Sequence, residues 1–564
     1  MAVITETKKT EKRTVRDLLL ASAAAFSDKP ALLAKTADGY ETYTYRRLWQ
    51  DTKALAATLD AKGLVGKRML ILGENGYVWA LGFLAALTVG VVAVPVNKTA
   101  DAEALAAIYE YTRPDAVFFA DALSSSVAPL PEAAERLPFS SLDTLLAEGR
   151  ALLDSGAADL TAPLDETAPA ALLLVSASGE PPRAAALSNE NLTFAAARVP
   201  SMLGLGKADR FLSILPLHHS YSLVFDLLTP LSVGASVAFS EGLHAIIKNM
   251  GETQPTVLTA SPLIAEALAR KAQKILSGYG KIHSTSSAAM SLLPTPLSAP
   301  LKKQLFRKLH LAFGGSLRTV ICSGAPVGAH DLKPLSDVGI VMLECYGLCE
   351  STSAVALNPR RAPRHGSAGK PLPDCLVDVY NKGEDGIGEI RVKSGGVMLG
   401  YFEDEEATAK ALSGGWLYTG DLGYLDEKGY LHVVGRKKNL MVSRTGRSIF
   451  PEELEALLHK EPFVRETVVV GFANEQRHDY DLVAVVYPDV ERLFEVYGEN
   501  YTIRDAEREI AAALDRVNAT LPEHKRIDHF VLRGTEFAKT SARKIRRTGV
   551  ASSIEDEYRK KLQK

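Results

Sequence analysis

The sequence has little of several features, and each scarcity excludes a class of protein. Its 564 residues include four cysteines, too few for a disulfide scaffold, so free thiols in a reducing compartment are expected. The formal net charge of −2 gives no electrostatic reason to bind nucleic acid or an anionic membrane. Hydrophobic residues make up 46% and charged residues 23%, as in soluble globular proteins. We therefore expect a cytoplasmic protein with no nucleic-acid partner and at least two domains, because one core rarely extends over such a length.

Long apolar runs are also scarce. The polar stretch from Met1 to Arg13 is not followed by an apolar segment long enough for a signal peptide, so none is predicted. WALGFLAALTVGVVAVPV, from Trp79 to Val96, has about the length of a short membrane span. At Gly90 its leucines and alanines give way to a β-branched run, which predicts a buried helix, a turn and a buried strand. No transmembrane span is expected, peripheral membrane contact stays open, and the oligomeric state is unknown from sequence.

Cys345 and Cys349 lie one helical turn apart, a spacing that two metal ligands can have. A structural zinc site needs four ligands, and neither a histidine nor a second cysteine pair lies nearby in the sequence. Both residues are therefore predicted to be free thiols.

Short aliphatic runs alternate with helical patterns over the first three quarters of the chain. The runs are RMLILGEN from Arg68, DAVFFAD from Asp115, ALLLVSAS from Ala171, RFLSILPL from Arg210 and LRTVICSGA from Leu317. Continuous apolar runs are typical of parallel strands that helices cover on both faces. The sequence therefore predicts an α/β fold, with a large domain of helix-covered, mainly parallel sheets over residues 1–435.

The pattern changes near Gly435. A hairpin-like pair, RETVVVGFANE and LVAVVYPD, is followed by a polar helix from Arg504 to Asn518. This composition predicts a small, mobile α+β domain over residues 436–564.

Five polar segments carry side chains that suit binding or catalysis. They are LPLHHSYSL from Leu215, SGAP from Ser323, ECYGLCESTS from Glu344, YTGDLGYLDEKGYLHVVGRKKN from Tyr418 and FAKTSARKIRR from Phe537. Three of them also have a structural interpretation. The glycines after Tyr418 suit hairpin turns, the lysines and arginines after Phe537 suit a solvated basic patch, and a histidine at a strand end is usually structural.

In number, order and spacing, these segments resemble the adenylate-forming (AMP-binding) enzymes over nearly the whole chain. GENGYVWALGFLAAL and LHLAFGGSLRTVICSGAP make the sequence most similar to bacterial long-chain fatty-acid–CoA ligases. The resemblance implies that Asp421 binds the ribose hydroxyls of a nucleotide and that Arg436 approaches the same sugar. It also implies that Tyr346, followed by Gly347, stacks on adenine. Ser323, Gly324 and Ala325 would border adenine and the acyl group.

The resemblance further implies the catalytic groups. Glu350 would hold Mg²⁺ at the phosphates of ATP, since a carboxylate suits a hard cation. Lys544 would neutralise charge as the substrate carboxylate attacks the α-phosphate, a form of electrostatic stabilisation that is often the largest catalytic contribution. His218 or His219 would contact the carboxylate.

The segment VSASGEPPRAAALSNENL departs from the family's phosphate-binding loop. Ser176, Ser178 and Gly179 are retained, whereas Arg183 stands where the family has lysine. Glu180 brings a negative charge to a loop whose backbone N–H groups are expected to close around phosphate. Arg183 can still pair with phosphate through two N–H groups.

The activity that the resemblance implies is a fatty-acid–CoA ligase that uses ATP and Mg²⁺, forms an acyl-adenylate and transfers the acyl group to CoA. Two alternatives stay open. One is an acyl-AMP ligase that loads a carrier protein. The other is a catalytically impaired homologue that binds a nucleotide or an acyl group, which the altered phosphate loop suggests.

Overall fold

The structure is a computed structural model. The residues that it describes are 14–175, 181–278, 301–324, 334–442, 448–474, 479–539 and 545–562. They fall into two compact units, a larger one of residues 1–377 and 392–418 and a smaller one of residues 378–391 and 419–564. The boundary between residues 435 and 436 and the mobility of the second domain stay predictions.

The strands are numbered along the chain. The first eleven are β1 (Pro30–Thr36), β2 (Gly39–Thr44), β3 (Arg68–Leu72), β4 (Val92–Val96), β5 (Ala116–Phe119), β6 (Glu135–Pro138), β7 (Pro169–Leu174), β8 (Ala184–Ser188), β9 (Arg210–Ser213), β10 (Ser236–Phe239) and β11 (Val257–Ala260). The next seven are β12 (Thr319–Ser323), β13 (Val341–Tyr346), β14 (Ala356–Leu357), β15 (Lys370–Pro371), β16 (Leu376–Tyr380), β17 (Gly388–Lys393) and β18 (Gly400–Tyr401). The last eight are β19 (Leu412–Ser413), β20 (Trp416–Leu425), β21 (Leu431–Arg436), β22 (Met441–Val442), β23 (Ser448–Ile449), β24 (Val464–Asn474), β25 (Asp479–Pro488) and β26 (His529–Leu532).

The α-helices are numbered in the same way. Up to residue 232 they are α1 (Val15–Phe26), α2 (Tyr45–Ala61), α3 (Tyr77–Val89), α4 (Ala102–Thr112), α5 (Ser124–Val127), α6 (Leu142–Asp154), α7 (Asn189–Leu203), α8 (Ser220–Ser222) and α9 (Thr229–Ser232). The others are α10 (Ile246–Thr253), α11 (Pro262–Ser277), α12 (Arg307–Ala312), α13 (Glu405–Ala411), α14 (Pro451–Leu458), α15 (Val490–Tyr497), α16 (Ile503–Ala519) and α17 (Val550–Leu562). A π-helix, Leu223–Leu228, joins α8 to α9.

Two large sheets build the larger unit. The nine-stranded sheet has the order β15-β14-β13-β12-β11-β9-β10-β1-β2, and its strands from β13 to β1 are all parallel. The seven-stranded sheet has the order β18-β8-β7-β4-β3-β5-β6 and is parallel from β7 to β6. Each of the five quoted aliphatic runs overlaps a strand of these sheets. The α/β class with mainly parallel sheets is confirmed.

The apolar segment from Trp79 to Val96 folds as its sequence predicts. Helix α3 is almost wholly buried and ends at Gly90, which has φ +86° and donates its N–H to the Ala86 carbonyl. A left-handed residue at this position commonly ends a helix, and glycine adopts it without a steric penalty. Strand β4 follows and pairs with β3. No helix in the described part of the chain has the length and apolarity needed to cross a membrane.

A five-stranded sheet has the order β16-β17-β20-β19, with β21 paired to β20. The smaller unit contains a three-stranded sheet, in which β24 and β25 are antiparallel and β26 is parallel to β25. Successive side chains of β25 enter different cores, since Ala484 packs with α14 and α16 whereas Val485 packs with α17. The predicted hairpin-like pair and the helix after it are confirmed as β24, β25 and α16.

Candidate functional site

In the larger unit, the candidate site residues lie where parallel strands end. Ser323 is the last residue of β12 and pairs in register with Cys345, which directly precedes Tyr346 at the end of β13. The carboxyl ends of β9, β12 and β13 lie at one edge because these strands run parallel. Ligands of open α/β sheets bind at that edge. The fold therefore brings Ser323, Gly324 and Tyr346 to the same side of the sheet.

The chain after Tyr346 makes a strained turn. Glu350 lies in a 3-10 helix, Cys349–Ser351, and the next two residues, Thr352 and Ser353, have φ of 51° and 57°. Left-handed backbone in a β-branched residue is unfavourable and persists only where surrounding contacts enforce it. Here the Ser353 N–H donates to the Leu348 carbonyl at 2.7 Å, which turns the chain back on itself. Such strain is typical of functional sites.

Gly347 is required by this turn. A Cβ at residue 347 would lie 2.2 Å from the carbonyl carbon of Ser353, a distance that backbone atoms cannot accommodate. The glycine of the Tyr-Gly pair thus permits the close approach that presents Glu350.

Tyr401 holds the Glu350 carboxylate. Its hydroxyl donates to Glu350 Oε1 at 2.8 Å. Burial, and then the Glu350 charge, raise the pKa of Tyr401 above its ordinary value, so the hydroxyl stays a donor at neutral pH. Arg183 lies over the Tyr401 ring, 5.3 Å from its centroid, and its Nε is 3.2 Å from Asp404 Oδ2. Tyr401 thus contacts both the Glu350 carboxylate and the Arg183 guanidinium.

The two histidines lie between β9 and α8. Asn75 fixes this stretch, since its Nδ2 donates to the Leu215 carbonyl at 2.7 Å and its Oδ1 accepts from the Leu217 N–H at 3.0 Å. The His218 and His219 ring centroids are 4.3 Å apart. Burial above all lowers the pKa of His218 well below its ordinary value, so its imidazole is neutral.

Two contacts place the histidine stretch against the Glu350 turn. Ser220 Oγ, directly after the histidines, lies 3.0 Å from Cys349 Sγ and within hydrogen-bond distance of the Ser353 hydroxyl. His218 Nε2 is buried and has no hydrogen-bond partner within the described residues. A substrate group could satisfy this nitrogen.

A second carboxyl group lies behind the turn. Glu344, on β13, accepts from the Gly366 N–H at 3.2 Å and from Asn358 Nδ2 at 3.2 Å. Burial raises the pKa of Glu344 to about 8, so this carboxyl is mostly protonated at neutral pH. Glu350 is therefore the carboxylate of this turn that suits a cation. In the described ranges, no three His, Cys, Asp or Glu side chains form a metal-binding group, and neither Cys345 nor Cys349 is in a disulfide.

In the smaller unit, Asp421 and Arg436 are directly opposite each other on β20 and β21. Arg436 Nε lies 2.7 Å from Asp421 Oδ1, and the Asp421 side chain is only 5% exposed. Gly420 and Gly429 both have positive φ, at +68° and +77°. The structural interpretation of this motif as a glycine-shaped hairpin is therefore compatible with a binding role, because the hairpin brings the two charged side chains together.

Several predicted site residues lie outside the described residues, namely Ser176, Ser178, Gly179, Ala325 and Lys544. Two of the described cations of FAKTSARKIRR are largely buried. Lys539 is 14% exposed and pairs with Glu466, and Arg547 is 26% exposed and pairs with Glu455. These two cations therefore serve the fold of the smaller unit.

Tyr401, Asp404 and Asn75 were missed by sequence reasoning. Tyr401 follows the segment GGVMLG, whose glycines predict only turns between strands. It contacts Glu350 across 51 residues of sequence, and no local spacing signals that contact.

Comparisons with known proteins extend these observations. A family model described as AMP-binding enzyme matches residues 19–402. The long-chain-fatty-acid–CoA ligase FadD15 of Mycobacterium bovis is 28% identical over 557 residues, covering 90% of this chain and 91% of that protein. A feruloyl-CoA synthase of an Amycolatopsis species is 29% identical over 472 residues, covering 81% and 86%.

The fold is shared with solved structures. The crystal structure of the anthranilate CoA ligase AuaEII in complex with anthranoyl-AMP has a TM-score of 0.76 and 19% identity, with 96% of this chain and 97% of that chain covered. The structural likeness supports the fold, and the family model spans more than half of the sequence with the Glu350 turn inside it. This chain belongs to the AMP-binding enzyme family.

Proposed function

We propose that this protein is an AMP-forming acid–thiol ligase that activates a fatty acid with ATP and transfers the acyl group to CoA. The observation that carries the proposal is the strained turn that presents Glu350 to Tyr401 beside Arg183. Strained backbone that surrounding contacts enforce is typical of functional sites. Membership of the AMP-binding enzyme family and the name of the FadD15 relative support the reaction and the fatty-acid substrate.

Glu350 fits the Mg²⁺ that accompanies ATP. Magnesium in nucleotide sites is commonly held by one or two carboxylates together with substrate phosphates and water, so one fixed carboxylate is sufficient. When bound, the ion would neutralise charge on the phosphates. Tyr401 keeps the Glu350 carboxylate in one orientation, which limits the reorganisation needed when the nucleotide arrives.

Arg183 compensates for the altered phosphate loop. Its ion pair with Asp404 joins side chains that are 46% and 32% exposed, and such pairs are worth about 0–1 kcal/mol. Exchanging Asp404 for a phosphate therefore costs little. Arg183 can then donate two N–H groups to phosphate oxygens, a role in which a guanidinium matches or exceeds the family's lysine. This favours an active enzyme over an impaired homologue.

Asp421 and Arg436 are the proposed ribose-binding pair, and Tyr346 the proposed adenine-stacking residue. An ionised carboxylate accepts hydrogen bonds from two vicinal hydroxyls. Arg436 pairs with the Asp421 carboxylate and fixes its orientation. Ser323, Gly324 and Ala325 would border the adenine and the acyl group.

The reaction has two half-reactions. In the first, a carboxylate oxygen attacks the α-phosphorus of ATP and pyrophosphate leaves, while Lys544 offsets the developing charge. In the second, the CoA sulfur attacks the acyl carbonyl, AMP leaves and the thiol proton is released to solvent. His218 is neutral, and its buried Nε2 would donate a hydrogen bond to the substrate carboxylate without adding a charge.

Carboxylate-dependent exchange of pyrophosphate into ATP tests the proposal. We expect exchange with medium-chain or long-chain saturated fatty acids, little with ferulate or oxalate, and thioester formation on adding CoA. Lys544→Ala is expected to lower exchange by about 100-fold or more while transfer from supplied acyl-adenylate to CoA survives.

The alternatives predict other results. Exchange without a thioester on adding CoA would indicate a carrier-protein acceptor. No exchange with any acid, together with thermal stabilisation by AMP, would indicate a binding protein and would refute the ligase assignment. Equal loss of both half-reactions in Lys544→Ala would refute the role of that lysine.

A further inference from the structure

Two ion pairs of the smaller unit flank residues 540–544. On one side, Lys539 Nζ lies 2.5 Å from Glu466 Oε1 and 2.6 Å from Glu536 Oε2. On the other, Arg547 Nη1 lies 2.5 Å from Glu455 Oε1. The chain on both sides of this short segment is thus fixed to carboxylates of the same unit.

The Arg547 pair is part of a closed network. Arg547 Nη2 donates to the Val469 carbonyl at 2.8 Å, and the Val469 N–H donates to Glu455 Oε1 at 2.7 Å. Glu455 on helix α14, the Val469 backbone on strand β24 and Arg547 therefore form hydrogen bonds with one another. A guanidinium with two fixed acceptors has a defined position, which a lone surface cation would not have.

The backbone on the two sides is also joined. Lys539 and Ile545 form an antiparallel bridge, and the Arg546 N–H donates to the Ala538 carbonyl at 2.8 Å. Ile545 packs against the core cluster that contains Phe537, which is 4% exposed. The described residues on both sides of 540–544 thus have fixed places in the core of this unit.

The Glu455 network contributes geometry more than stability. Glu455 is 12% exposed and Arg547 26%, and a buried ion pair gains little net free energy because both charges lose hydration. Burial raises the pKa of Glu455 to about 7, and Arg547 opposes that rise. The Glu455–Arg547 pair therefore adds little to stability. We attribute its presence to the fixed orientation that Glu455 gives to Arg547.

We propose that Glu455, acting through Arg547, is a positioning residue for the adenylation half-reaction. The inference rests on the proposed function, in which Lys544, three residues before Arg547, serves the attack on the α-phosphate. A catalytic group displaced by about 1 Å can lose about 100-fold in rate. Glu455 touches no substrate, and its effect is confined to the half-reaction that uses Lys544.

The test compares Glu455→Gln with Glu461→Gln in the full-length protein. Glu461 is a matched control, because it is 16% exposed and also pairs with an arginine of the smaller unit, Arg516, at 2.6 Å. For Glu455→Gln we expect pyrophosphate exchange to lose about tenfold or more in kcat, with the KM for ATP changed less than about twofold. Transfer from supplied palmitoyl-adenylate to CoA should stay within about twofold of the unmodified protein. Glu461→Gln should leave both half-reactions unchanged.

Arg547→Lys provides a second variant that keeps the charge but loses the two-point contact. It should reproduce the selective loss of exchange, and thermal unfolding of both variants will show whether the fold is retained. Proportional loss of both half-reactions, or unchanged exchange in both variants, would overturn the inference. It would leave the proposed function standing if Lys544→Ala lowers exchange as expected. Absence of exchange in the unmodified protein would instead overturn the proposed function, and the inference with it.

Discussion

A buried acid on the π-helix predicts an unusual dependence of stability on pH. Asp226 is fully buried, and its two carboxyl oxygens accept from Thr259 Oγ1 at 2.6 Å and from Ser222 Oγ at 3.0 Å. Neither partner carries a charge. Burial raises the pKa of Asp226 from 3.8 to about 7, against the opposing effect of the two hydroxyls.

The sign and size of the effect follow from proton linkage. Because the folded protein binds this proton more tightly than the unfolded chain, the Asp226 contribution to stability falls as pH rises from about 4 to about 7. One pKa unit is worth about 1.4 kcal/mol, so the full loss is about 4 kcal/mol at most. Asp226→Asn removes the titration while an amide still bonds to both hydroxyls. The variant should therefore gain stability relative to the unmodified protein as the pH rises from about 4 to about 7, and the difference should level off above that pH.

Urea unfolding of both proteins between pH 5 and pH 9 measures this difference. We expect the free energy of unfolding of Asp226→Asn minus that of the unmodified protein to rise by about 2–4 kcal/mol over this range. Asp28→Asn serves as a control, because Asp28 is 83% exposed and its difference should stay flat. A pH-independent difference for Asp226→Asn would refute the reasoning.

Three further predictions concern the Glu350 turn. Tyr401→Phe removes a hydrogen bond to the Glu350 carboxylate, and bonds to charged groups are worth about 1.5–3 kcal/mol. The variant should lower the kcat of pyrophosphate exchange by about 10–100-fold with little change in melting temperature. An unchanged kcat would contradict the role given to Tyr401. Gly347→Ala forces a Cβ against the Ser353 backbone and should destabilise the protein by about 1–3 kcal/mol in thermal unfolding, a result that an unchanged melting temperature would disprove. Glu344→Gln removes an acid whose pKa burial raises to about 8. The free energy of unfolding of this variant in urea, relative to that of the unmodified protein, should therefore increase between pH 6 and pH 9. A decrease would count against a protonated Glu344.

Much of the fold could be predicted from the sequence, because burial leaves a local pattern. The change from leucine and alanine to β-branched residues at Gly90 correctly predicts the end of α3 and the start of β4. Aliphatic runs without polar alternation correctly predict parallel strands. The order of the strands in the sheets could not be predicted. Strand β9 pairs with β10 and β11 because of how the connecting helices pack, and the sequence of a single strand does not encode its neighbours.

The candidate site was predictable only where its residues share a motif. Tyr346, Gly347 and Glu350 are close in sequence and lie on one turn. The contact of Tyr401 with Glu350 and the network of Glu455 with Arg547 join segments 51 and 92 residues apart. Such contacts depend on the tertiary fold. The left-handed backbone at Thr352 and Ser353 was equally hidden, because neither residue type favours it.

The fate of the substrate oxygens tests the central claim most directly. If the carboxylate attacks the α-phosphorus of ATP, a fatty acid labelled with ¹⁸O in both carboxyl oxygens must leave one label in AMP and one in the thioester after CoA is added. We predict AMP with one ¹⁸O and pyrophosphate with none, measured by mass spectrometry. Unlabelled AMP, or ADP as the nucleotide product, would contradict an acyl-adenylate route.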